Sequence, residues 1–142
     1  MTSLLTIRVD VRPIAKQSTR FGGGRAYTSR RHLEYAKVIA TALAEQLEEQ
    51  SWVTEDTSPL SVHIQAHFRW PKNTKKAIRN SIEPRTSIPD CDNIAKPVLD
   101  SLKALWDDDR QVADLRVRKF NSPKDQLVIT VQRWHFPLEP VE

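Results

Sequence analysis

The sequence predicts a single small domain of the α/β (α+β) class, residues 1–142, in which a mixed β-sheet carries two main helices in the order β-α-β-α-β-β. Three observations point there. Four stretches alternate apolar and polar residues with the two-residue period of a half-buried strand. Two others repeat apolar residues at helical spacing. The 142 residues show no internal repeat and no linker, and they suffice to bury the core of one domain.

Leu5, Ile7, Val9 and Val11 form the first alternating stretch. A loop is expected from Arg12 to about Ser29, mobile because it holds all three glycines, Gly22, Gly23 and Gly24. Thr28 or Ser29 can cap a helix over about Arg30–Gln50, with Leu33, Ala36, Ala40, Leu43 and Leu47 as its apolar stripe and core as the preferred place for its leucines. Leu60, Val62, Ile64, Ala66 and Phe68 predict a second strand, ended by Trp70-Pro71. The segment from Lys72 to Ile88 is basic, polar and proline-containing, and reads mostly as loop. Ile94, Val98, Leu99, Leu102, Leu105 and Trp106 give a second helical stripe. Proline is tolerated mainly in a first turn, so Pro97 implies a helix starting near Lys96, with Asp90 to Asn93 extended or turn-like. Val112, Leu115, Val117 and Phe120 suggest a third strand of imperfect phase, with a bulge. Leu127, Ile129 and Val131 form a fourth, after the turn Asn121 to Asp125; a frayed tail is expected from Pro137.

Net charge is only +4, but its distribution is uneven. Arg12 to Arg31 contains six basic residues and no acid, and Arg69 to Arg85 contains six more opposed only by Glu83. Acids gather in Glu45 to Asp56 and in Asp90 to Asp109. Two basic segments beside a carboxylate cluster suit a polyanion that is held and then cut; the plainer reading is solvated loops with uneven charge. No apolar run approaches the ~20 residues of a membrane span, and the N-terminus does not read as a signal peptide. A single cysteine, Cys91, excludes an internal disulfide and a thiolate zinc cluster; it reads as a small core residue and suits a reducing cytoplasm.

The informative segments are Pro89-Asp90-Cys91-Asp92-Asn93-Ile94-Ala95-Lys96 and Asp107-Asp108-Asp109-Arg110-Gln111-Val112. In extended chain, residues two apart point the same way, so Asp90 and Asp92 can aim at one point. One helix later the chain returns with more acids. Clustered carboxylates repel, and a hard divalent cation such as Mg²⁺ relieves that repulsion through oxygen ligands. Such a cation suits phosphodiester hydrolysis. Lys96, four residues after Asp92, can contact a scissile phosphate, position an attacking water, or be an ordinary surface lysine. Taken singly, Asp92 can be a helix cap and Asp107 to Asp109 a turn before a strand. An EF-hand fails, because Ile94 and Ala95 fill its fifth and sixth places. A P-loop is absent. His63 and His67 lie ~13 Å apart if on a strand, on the face opposite Val62, and are expected to face solvent or a partner; His32 and His135 stand alone.

These residues resemble the RusA family of Holliday junction resolvases, often encoded by phages and prophages. The likeness rests on Pro89-Asp90-Cys91-Asp92-Asn93, Lys96, Leu99-Asp100-Ser101-Leu102 and Asp108-Asp109-Arg110-Gln111-Val112, with a weaker match at Pro13 to Gln17, Arg20 and Tyr27-Thr28. It implies that Asp90, Asp92 and Asp109 are metal ligands, Asp108 a supporting acid and Lys96 a catalytic or phosphate-contacting cation. It further implies a homodimer that resolves four-way branched DNA by paired symmetric nicks with Mg²⁺ or Mn²⁺, without a small-molecule cofactor. Many members have a glycine and a longer turn where Leu105-Trp106-Asp107 runs straight in; Asp109 is chosen from its place two before Gln111. Charge assigns Lys16, Arg20, Arg25 and Arg30 to one DNA arm and Lys72, Lys75, Lys76 and Arg79 to another. The competing readings are a non-catalytic, structure-selective DNA-binding protein that kept the fold and, ranked last, a nucleotidyl-transfer enzyme.

Overall fold

The computed structural model describes residues 4–16 and 20–134. In chain order the elements are β1 (Leu4–Val9), β2 (Arg20–Gly22), β3 (Arg25–Tyr27), α1 (Arg30–Leu47), β4 (Leu60–Arg69), β5 (Glu83–Pro84), α2 (Cys91–Ser101), a 3-10 turn (Asp109–Gln111), β6 (Val112–Ser122) and β7 (Gln126–Arg133). Five strands make one mixed sheet in the order β1-β7-β4-β6-β5, with β4 and β6 parallel and the other pairs antiparallel. The predicted fold class and order hold, and the hairpin β2–β3 and the two-residue β5 add to them. No helix of the described residues is long and apolar enough to cross a membrane.

The alternation read from the sequence becomes two faces of this sheet. Leu5, Ile7, Val9, Val62, Ile64, Phe68, Leu127, Ile129 and Val131 are buried and meet Ile39, Leu43, Ile94, Val98, Leu102 and Leu105 beneath the helices. His63, Gln65 and His67 lie on the opposite face, where the His67 ring stacks on Phe120 with centroids 5.0 Å apart. Phe120 pairs in register with His67, so it belongs to the open face. That explains the imperfect phase of β6. The expected bulge is also present: Leu60 pairs with Val112 but Ser61 with Asp114, which leaves Ala113 as the extra residue.

The outer edge of β1 is closed by α1. Gln46 accepts from the Arg8 N–H (2.9 Å) and donates to the Arg8 carbonyl (2.8 Å), and Gln50 makes the same two bonds to Thr6 (3.4 and 3.3 Å). Two glutamines one turn apart thus replace a neighbouring strand.

Four expectations are corrected. The segment between β1 and α1 contains a hairpin; Gly23 and Gly24 have φ of 57° and 77°, the left-handed pair that a two-residue hairpin turn requires. Ser29 caps α1, but the buried stripe is Tyr35, Ile39 and Leu43, with Leu47 half-buried, while Leu33 is 58% exposed. Helix α2 begins at Cys91 rather than near Lys96 and keeps Pro97 inside it. Cys91 is half-buried in its first turn rather than in the core.

Candidate functional site

The segment before Asp90 is held by two cations. Arg85 donates from Nε (3.0 Å) and Nη2 (2.7 Å) to the Ile88 carbonyl and from Nη1 to Asn121 (2.9 Å), and its guanidinium lies 4.4 Å from the Phe68 ring centre. Lys119 donates to the carbonyls of Ser87 (2.7 Å) and Pro89 (2.9 Å). Sequence reading missed both. Their signal is only basic residues on a strand and in a loop, without periodicity.

Asp90 is the N-cap of α2, yet its carboxylate makes no capping hydrogen bond. Asp92 is in the first turn. Both are exposed. An acid at this end is favoured by the helix dipole. Because the helix begins at Cys91, the extended-chain argument for aiming Asp90 and Asp92 together does not apply; residues two apart on a helix diverge. Lys96 lies one turn beyond Asp92, but its ammonium bonds to Asp100 at 2.8 Å. That hydrogen bond, then the charges of Asp100 and Asp109, hold Lys96 above the usual lysine value.

The second acidic run is built differently. Asp109 accepts from the indole N–H of Trp106 at 2.7 Å, and Trp106 is 2% exposed. Asp108 caps the 3-10 turn, accepting from the Arg110 N–H (2.8 Å) and pairing with its Nε (3.1 Å). These bonds hold its carboxyl below the usual range. Gln111 accepts from the N–H groups of Asp107 and Asp108 and donates to the Asp56 carbonyl (3.0 Å), fixing the run to the chain before β4. Asp108 is engaged by Arg110, while the charge of Asp109 acts on Lys96.

Asp90 and Asp92 are at the head of α2, and Asp109 follows its last residue by eight positions in the chain, since α2 ends at Ser101. Asp109 precedes β6 and shares a small cleft with Lys103, beyond the other end of the helix. Among the described residues no three His, Cys, Asp or Glu side chains, Asp90, Asp92 and Asp109 included, stand close enough to hold a metal ion.

Of the first group of cations, Lys16 lines a cleft of about 320 Å³ between α1 and α2 that Lys96 also lines. Its N–H donates to the Asn93 carbonyl at 2.6 Å. His32, unassigned from sequence, bonds to the preceding Ala15 carbonyl through Nε2 (2.8 Å) and to Ser29 through Nδ1 (2.7 Å). Arg20 and Arg25 stand in the hairpin, with side chains outside the described residues; His135 and the tail from Pro137 also lie outside them. Arg30 pairs with Glu34 at 3.1 Å. In the second group, Lys72, Lys76 and Arg79 join Arg69 and Trp70 around a cleft of about 290 Å³, while exposed Lys75 is not in its lining.

A family model described as "Endodeoxyribonuclease RusA" matches residues 10–132, most of the chain and both acidic runs. The chain belongs to the RusA endodeoxyribonuclease family. A relative in Bacillus subtilis (strain 168), "Uncharacterized protein YqaN", is 30% identical over 107 residues, covering 70% of this chain and 72% of the relative. The RusA match begins directly after β1 and runs into β7, so the cation-held loop, α2 and the Asp108–Gln111 cap described above all lie inside the family domain.

Proposed function

We propose that this protein is a metal-dependent endonuclease that resolves Holliday junctions by paired symmetric nicks, acting as a homodimer in recombination and repair. The observation that carries the reading is the family match over residues 10–132 together with exposed carboxylates at the head of α2 and a lysine one turn further on. Asp90, Asp92 and Asp109 would hold Mg²⁺ or Mn²⁺. All are oxygen donors, as a hard cation requires, and the carboxylates of Asp90 and Asp92 have no hydrogen bond or ion pair among the described residues. When bound, the ion would activate water and stabilise charge on the phosphate.

That no three such side chains of one chain stand together among the described residues supports a particular form of the dimer. A second copy would complete the set, Asp109 of one facing Asp90 and Asp92 of the other. Lys96 would meet the phosphate as its developing charge grows, exchanging its bond to Asp100 for one to oxygen. The cleft of Arg69, Lys72, Lys76 and Arg79 would carry an arm of the junction through phosphate contacts that do not read sequence.

The test is incubation with Mg²⁺ and a synthetic four-way junction. Symmetric nicks are expected, absent in Asp92→Asn and in Asp109→Asn, with junction binding kept. Mixing the two inactive variants restores nicking if the site is shared between copies, because one of the two sites in a mixed dimer is then intact. Binding with no nicking by the unaltered protein favours a non-catalytic DNA-binding role.

A further inference from the structure

In an α-helix the carbonyl of residue 93 accepts from the N–H of residue 97. Here residue 97 is proline, which has no N–H and whose ring crowds that carbonyl. The Asn93 carbonyl is not left unpaired. It accepts the Lys16 N–H at 2.6 Å, from a segment 77 residues earlier in the chain. On the other side the Ala15 carbonyl is bonded to the His32 ring of α1 at 2.8 Å. Two adjacent residues of the segment after β1 are thus pinned, one to each helix, and Lys16 faces the cleft that Lys96 lines.

We infer that Pro97 is a positioning residue, which frees the Asn93 carbonyl so that Lys16 is fixed at the first turn of α2 and binds substrate phosphate in the same cleft as Lys96. The inference rests on the nuclease reading for its substrate, but not for its geometry. Asn93 is next to Asp92, so Lys16 stands beside the proposed reacting end of α2, not on a distant DNA arm. Asp100 lines the same cleft of about 320 Å³ and pairs with Lys96 at 2.8 Å, so a backbone phosphodiester, a monoanion, would be met there by Lys16 and by Lys96 once it exchanges Asp100 for phosphate oxygen.

Pro97→Ala tests this, because alanine returns the N–H and lets the helix reclaim the Asn93 carbonyl. Exchange of the Lys16 amide, followed by NMR, should accelerate at least ten-fold, while the thermal midpoint stays level or rises. Nicking kcat/KM on a four-way junction should fall about ten-fold, matching Lys16→Ala. The double variant should be no worse than either single one, since both remove the same contact. Unchanged Lys16 exchange in Pro97→Ala overturns the inference, as do losses in the two variants that simply multiply. If the unaltered protein does not nick, the nuclease reading falls by itself. The same variants are then judged by Lys16 exchange and by junction affinity, where equal affinity for Pro97→Ala and the parent overturns the positioning role.

Discussion

The indole N–H of Trp106 donates to Oδ1 of Asp109 at 2.7 Å, joining a core side chain to the one half-buried acid of the proposed metal set. Burial fixes the indole, and the indole fixes one oxygen, leaving the second carboxylate oxygen for a ligand. Trp106→Phe keeps most of the packing and removes the donor. A bond to a charged acceptor contributes about 1.5–3 kcal/mol, so urea denaturation should show a loss of that order. Nicking should fall about ten-fold as Asp109 loses its orientation. Asp109→Asn, which keeps an acceptor, should leave stability within about 1 kcal/mol and abolish nicking.

The Lys96–Asp100 pair separates charge from fold. Its folded pKa lies above the ordinary lysine value, so its stabilisation is fully present below that value and is lost as pH rises through the raised one. At neutral pH Lys96 is charged. The two side chains are 53% and 45% exposed, and solvent screening limits the pair to less than about 1 kcal/mol. Lys96→Gln should therefore change the urea midpoint little and reduce nicking at least 100-fold.

Salt dependence should divide the basic groups. Replacing Lys72, Lys76 and Arg79 together by glutamine should weaken junction binding across sequences and lower the slope of log K against log salt by about one per cation removed. Arg30→Gln should change the slope by less, because Glu34 already neutralises Arg30. Fluorescence anisotropy on a labelled junction between 50 and about 200 mM salt reads both.

His67 makes the open sheet face sensitive to acid. Burial, then the charges of Arg8 and Lys124, push its pKa below 6.5. A histidine with a depressed folded value binds fewer protons folded than unfolded, so stability is full above 6.5 and declines as pH falls toward and through the folded value. His67→Gln, which cannot titrate, should flatten the stability profile below pH 6.5, measured as urea midpoints.

Much of this was legible in the chain because strand alternation survives any tertiary context that buries one face. Leu60 to Phe68 and Leu127 to Val131 were read directly. The stripe of α1 was not, because leucines and alanines mark several rows of one helix, and only packing selects Tyr35, Ile39 and Leu43. The start of α2 was misread for a specific reason. Pro97 argues for a late start when its missing bond is counted as a cost, but Lys16 supplies that bond from elsewhere. The same long-range contact was invisible locally. The acids were legible by type, while the anchoring of the loop before Asp90 by Lys119 of β6 is a contact between residues 30 apart that no local pattern announces.

Closing β1 with Gln46 and Gln50 leaves the molecule lopsided toward its own kind. A chain seeking to extend this sheet finds amide side chains already seated along one margin. On the other, among the described residues, β5 pairs with the far end of β6, at Phe120 and Asn121. A second copy approaching the β1 margin would meet side-chain amides instead of free backbone groups, so open-ended stacking through that margin is opposed.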